Sequence, residues 1–242
     1  INTILAAVGA LLMLSVTSAN SVEFKAGVSA NGMAAYANAQ ETLKGTVTST
    51  QGGGRVSNAE AVLATSYASA FFEVSSDEAM GLGIGISYAP EVVDLEKETR
   101  TIQNCTDNQA VAGSCTTYSG HDSGDQIIDG KVQDLLGIYL TMPVGNAYVK
   151  AGYIQATMIT SENLATGSKY EDIDMTGLQV GAGYEGSLGD MVFWRAEGTY
   201  QQWEDLAASG SESNLAGTDD TKNRITAEVG SVTGSLSIGM KF

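Results

Sequence analysis

The sequence predicts an all-β fold, in which eight antiparallel segments run up and down and close into a barrel. Three observations carry that expectation. Segment after segment alternates large apolar side chains with small or polar ones at a period of two, which is how an extended strand presents its two faces. No interior window offers the roughly 18 consecutive apolar residues that a spanning helix needs. The connections between segments alternate in length: long, short, long, short, long, short, long.

Of the 242 residues 43% are hydrophobic, enough for a substantial core, but 29 glycines and many Ala, Ser and Thr dilute them. Mean hydropathy of −0.01 sits between a soluble globule and a helical membrane protein. What remains is a soluble all-β protein or a membrane barrel, whose alternating strands hide their hydrophobicity from a sliding window. A net charge of −16 excludes nucleic acid as a partner, because phosphate binding needs clustered Lys and Arg and the basic residues here are scattered.

Residues 1–19 read as an export signal. Ile1 to Ser18 is an apolar run of the right length, and Thr17 and Ala19 stand where a signal peptidase reads small residues, with cleavage before Asn20. Without an initiator Met or a basic start, the signal is expected to be truncated at its beginning and removed, leaving residues 20–242 as the barrel. An N-terminal anchor or a buried helix is the competing reading. Cys105 and Cys115, the only cysteines, lie close together in a polar segment and are expected to form a disulfide in an oxidising compartment.

The first strand is expected over Val22–Tyr36, with Phe24, Ala26, Val28 and Tyr36 on one face and Glu23, Lys25, Ser29 and Asn31 on the other. A glycine-containing loop over Glu41–Asn58 precedes a second strand at Ala61–Val74, and Ser75 to Glu78 make a short turn. Met80–Pro90 alternates most cleanly: Met80, Leu82, Ile84, Ile86 and Tyr88 oppose Gly81, Gly83, Gly85 and Ser87. Large residues set against glycine suit a narrow barrel, whose interior has little room. Glu91–Asp125 is expected as the longest loop. Ile128–Val144 places Val132, Leu136, Ile138 and Leu140 opposite Lys131, Gln133, Gly137 and Tyr139. After a tight turn, Ala147–Thr160 has a less clear phase that suggests a bulge. Asp174–Tyr184 and Met191–Trp203 follow, joined by a short turn, then a polar loop over Ala207–Lys222. The closing segment, Ile225–Phe242, ends with Leu236, Ile238, Met240 and Phe242 on one face and Ser237, Gly239 and Lys241 on the other.

A final aromatic on an alternating strand resembles the C-terminal signature of bacterial outer-membrane β-barrels, so Phe242 is the expected assembly signal. With the export signal, eight segments and alternating connections, residues 20–242 resemble the OmpA/OmpX-type family of eight-stranded outer-membrane barrels, which includes opacity-protein-like members. The resemblance implies a transmembrane barrel with short periplasmic turns, long extracellular loops and both termini periplasmic. Its implied partners are outer-membrane lipid and lipopolysaccharide, the assembly machinery, and an unknown extracellular ligand or surface, and its implied state is a monomer. A soluble lipocalin-like barrel is the competing architecture, with its large residues inside.

Under these phases Glu23, Lys25, Glu73, Lys131, Glu185, Arg195, Glu197 and Lys241 project inward. Charges facing lipid cost a few kcal/mol each near the midplane, so a closed polar network is expected inside, with Arg195 on a carboxylate such as Glu185 or Glu197. Phe24, Phe72, Tyr184 and Phe242 fall near turns and termini and Tyr36, Tyr88 and Tyr200 near loops, as two aromatic girdles. No catalytic residue, cofactor or metal site is expected. The contiguous His121, Asp122 and Ser123 are no triad, since catalytic partners converge in space. Loop carboxylates such as Asp94, Glu96, Glu98 and Asp125 match no EF-hand spacing. The functional expectation is a structural or surface-interaction role; the alternatives are a narrow channel for small or hydrophobic solutes, marked by a lateral opening or continuous lumen, and a rim enzyme acting on lipid or peptide.

Overall fold

The computed structural model describes residues 22–43, 55–76, 80–102, 124–163, 170–210 and 224–242. Its strands are β1 (Val22–Leu43), β2 (Arg55–Ser76), β3 (Leu82–Ile102), β4 (Gly124–Val144), β5 (Ala147–Asn163), β6 (Ile173–Ser187), β7 (Val192–Trp203), β8 (Leu206–Ser209) and β9 (Arg224–Lys241). From β1 to β7 each pairs antiparallel with the next, β9 pairs antiparallel with both β7 and β8, and β9 returns to β1 from Lys25↔Lys241 to Thr42↔Arg224. Pairing of β9 with β1 removes the two edges that an open sheet would leave at its first and last strands. β7 and β8 both lie on β9, one continuing the line of the other past Glu204 and Asp205. They form a single stave, so the barrel has eight.

The outer surface is apolar. Leu236 (67% exposed), Ile238, Met240, Leu178 and Val180 point out, while Ser231, Thr233, Arg195 and Gln201 are buried within. This arrangement is unfavourable in water and favourable in lipid, where hydrocarbon faces acyl chains and polar groups meet inside. Short connections gather at one end, the turn end. There, Gly145 has φ of 66° at the first central position of the β4–β5 hairpin, a turn that suits strand twist and that glycine enters without strain.

The strands outrun the sequence expectation at the other end, the loop end. β1 continues to Leu43 and β3 to Ile102, and β8 occupies part of the segment expected as polar loop. Asp94, Glu96, Glu98 and Asp125, expected in loops, lie on β3 and β4. Beyond the apolar belt the outward positions no longer need hydrocarbon, so alternation fades from the sequence while backbone pairing persists.

A second correction concerns phase. The irregularity expected in β5 lies on β4, where the register with β5 shifts between Gln133 and Leu136 and Asp134 takes φ of 56°. One extra residue reverses the inward face. Val132 therefore packs against the inner apolar cluster, and Lys131, expected inside, turns away from the lumen and pairs with Glu91 at 3.0 Å.

The interior has two storeys. Charged and hydroxyl side chains fill the half nearer the turns. Toward the loops, Ala89, Val92, Leu135, Ile154, Ala156, Met175 and Trp203 form a buried apolar cluster, with Met33 and Met158 packed against it.

Candidate functional site

Arg195, on β7, centres the charged storey. Its Nη1 and Nη2 donate to the two oxygens of Glu73 on β2 at 2.9 and 2.8 Å, and its Nε donates to Glu185 on β6 at 2.7 Å. Glu185 also accepts from Lys25 at 2.9 Å, and Lys25 reaches Glu23 at 3.1 Å. A second group sits beside it: Glu197 accepts from Lys150 at 2.8 Å and from the Tyr148 hydroxyl at 2.7 Å. Arg195 thus takes Glu73 and Glu185 and leaves Glu197 to Lys150. Lys241 faces inward and makes no ion pair among the described residues. Ion pairs buried this deeply hold only when their hydrogen bonds are nearly all filled, and here each guanidinium edge meets a carboxylate.

Four aromatic rings wall this layer, and glycines admit them. Phe71, Tyr139, Tyr148 and Phe193 each face a glycine as cross-strand register partner: Gly27, Gly85, Gly183 and Gly239 respectively. A Cβ at any of these glycines would collide with the facing ring. Rings lying over glycine are a known device for pinning sheet register. The Arg195 guanidinium lies 5.1 Å from the Tyr148 ring, 5.2 Å from Phe193 and 5.3 Å from Phe71, within cation–π range. Lys150 lies 4.1 Å over Tyr139. Lys150 and the ring cage were not among the expected site residues. The glycine face of Met80–Pro90 was their trace in the sequence, since an empty position opposite an aromatic is where a ring lies down.

Between the storeys lies a cavity of about 60 Å³, edged by Ser29, Asn31, Ser87, Gln179 and Gln201 and by Ala89, Leu135 and Ile154 of the apolar cluster. That is room for a few waters. Beneath the charged layer a second cavity of about 190 Å³ opens at the turn end.

The wall beside the first cavity is incomplete. β2 and β3 pair only from Ser76↔Leu82 to Ala70↔Tyr88. Above that, β2 pairs with β1 alone and β3 with β4 alone. Pro90, two residues on, has no N–H to give a ladder, and the β3 register shifts again between Glu91 and Val93. Among the described residues one side-chain bond crosses the break, from Thr65 Oγ1 to the Val92 carbonyl at 3.2 Å. The cavity reaches this break at Tyr88 and Ala89.

On the outer surface the rings of Phe24 and Phe72 pack tilted with centroids 6.2 Å apart and those of Tyr184 and Trp194 at 5.8 Å near the turn end, where Phe242 exchanges main-chain hydrogen bonds with Phe24. Toward the loop end the Tyr36 and Tyr200 hydroxyls meet at 3.1 Å and Tyr88 donates to Asp134 at 2.5 Å. The expected disulfide, Cys105 with Cys115, and His121 lie outside the described residues, as does the expected export signal.

The architecture has solved counterparts. The outer membrane protein OprG from Pseudomonas aeruginosa superposes with a TM-score of 0.53 at 16% identity, over 92% of this chain and 96% of that one. The fold is that of a small outer-membrane β-barrel. The outer membrane protease OmpT from Escherichia coli (TM-score 0.43, 9% identity, 93% and 98% covered) and Ail, the attachment invasion locus protein of Yersinia pestis (0.30, 13%, 89% and 99%), superpose too loosely to bear on this barrel's chemistry. No family model matches the chain, and no curated protein matches it in sequence.

Proposed function

We propose that this barrel spans the bacterial outer membrane with its turns periplasmic and its loops extracellular, is closed along its axis, and passes small apolar molecules sideways through its wall. The observation that carries this reading is the end of β2–β3 pairing at Ala70↔Tyr88. Unpaired strand edges are costly in hydrocarbon. Here they start beside a girdle tyrosine and next to the outward Glu91–Lys131 pair, at the rim of the apolar belt. The loop-end interior supplies an apolar approach, and unbranched Met33, Met158 and Met175 can re-pack around a guest. Downward passage meets the paired charges of Arg195, Glu73 and Glu185. A surface-interaction role rests on loops outside the described residues, and the rim-enzyme alternative on His121, which also lies there.

The test staples the break. In a Cys105→Ser, Cys115→Ser background, Thr65→Cys with Val92→Cys joins β2 to β3 on oxidation. Transfer of the apolar fluorophore N-phenylnaphthylamine into vesicles bearing lipopolysaccharide is then followed. Oxidation is expected to cut transfer to that of protein-free vesicles and dithiothreitol to restore it; equal transfer in both states removes the lateral route.

A further inference from the structure

The mid-lumen cavity separates unlike surroundings, and Gln179 of β6 stands at the boundary. The residue is 5% exposed, and its Nε2 is the one buried side-chain nitrogen or oxygen without a hydrogen-bond partner among the described residues. It lies against Gly137, where an added Cβ would come within 3.1 Å of Nε2, 2.6 Å of the Ser87 hydroxyl and 3.8 Å of an Ile154 methyl. A buried donor of this kind calls for an acceptor. The cations facing the cavity, Lys150 and Arg195, already hold Glu197, Glu73 and Glu185, so an anionic head would enter without a counter-charge. A plain hydrocarbon would leave Nε2 unpaired.

Resting on the lateral route proposed above, we infer that the barrel selects amphiphiles with one uncharged oxygen head, an alcohol or a carbonyl. Gln179 Nε2 donates to that oxygen while the hydrocarbon lies among Leu135, Ile154, Met175 and Trp203. The head occupies the small polar cavity and the tail takes the side that leads to Tyr88 and the break. Selectivity arises because a site that offers a buried hydrogen bond discriminates against ligands that cannot accept it.

Trp203, packed in the same buried apolar cluster as Leu135 and Ile154, reports on a tail that lies there. The chain has two tryptophans; Trp194 faces outward, so Trp194→Phe leaves the buried Trp203 as the sole indole. The barrel in lipid vesicles is titrated with 11-bromoundecanol, 1-bromoundecane or ionised 11-bromoundecanoate, whose bromine quenches indole on contact. The alcohol is expected to half-quench at about five-fold lower concentration than the alkane. Gln179→Met should abolish that preference, and Gly137→Ala, which keeps the amide but fills the space beside it, should do the same; heat-modifiable gel migration verifies that both are folded. Equal quenching by alcohol and alkane, unchanged in the two variants, overturns the Gln179 site and leaves the lateral route standing. Stronger quenching by the carboxylate overturns the uncharged head. Absence of quenching by every probe overturns both the head site and the route.

Discussion

Arg195 directs N–H donors from all three guanidinium nitrogens and the fold supplies acceptors from two strands, which is why this residue, rather than a lysine, sits at the barrel centre. A lysine ammonium could not span both oxygens of Glu73 in the fork geometry. Because Glu73 is only 2% exposed, Arg195→Ala leaves a carboxylate buried without its partner. The expected loss is about 3–5 kcal/mol, read as a lower urea midpoint for the vesicle-embedded barrel by tryptophan fluorescence. Pairing Arg195→Met with Glu73→Gln should return most of that loss, since the uncompensated charge is gone. A double variant no better than the single one would show that packing against Phe71, Tyr148 and Phe193 matters more than charge balance.

At the scale of the strand, β9 shows how one element serves two solvents. Ser231, Thr233, Ser235 and Ser237 turn inward. Among the outward residues, Leu236 is 67% exposed and lies in register between Ala30 and Ala196, between the levels of Trp194 and Tyr200. A lysine there faces acyl chains: Leu236→Lys is expected to cost about 2–4 kcal/mol in folding into vesicles, whereas Asn38→Lys, beyond the Tyr36 girdle on β1, should cost about 0–1. Equal costs at the two sites would mean that the belt has been placed at the wrong height. The break between β2 and β3 belongs to the same scale. Its cause is local, a proline followed by a bulge, but its effect appears only because β2 and β3 run on with no partner on their facing sides.

Taken whole, the barrel stacks an ion-pair layer and an apolar cluster, Ala89 to Trp203, in series. In the proposed reading the first is the seal against solutes from the turn end and the second the seal against water and ions from the loop end. Eight staves leave an interior that side chains can fill, so neither seal needs a separate plug domain. In planar bilayers the purified barrel is expected to show no steady ohmic pore. Arg195→Ala alone should stay closed as well, because the apolar seal remains; a large steady conductance in the unmodified protein would contradict the axial closure.

Much of this is legible in the sequence alone, because strand alternation is a local property with a period of two. It fixed which face of β9, β7 and β6 meets lipid, placed Arg195 and Glu185 on the inner face and set the number of staves. Other features depend on contacts that sequence order does not encode. Glu73 and Arg195 are 122 positions apart and meet only because the barrel closes. The single-residue bulge at Asp134 sent Lys131 outward and Val132 inward, a reversal that no period can anticipate once a residue is inserted out of step. The side break and the partnerless Gln179 amide are likewise tertiary: each is defined by which strand fails to arrive beside another, and by what remains unfilled where storeys of unlike polarity meet.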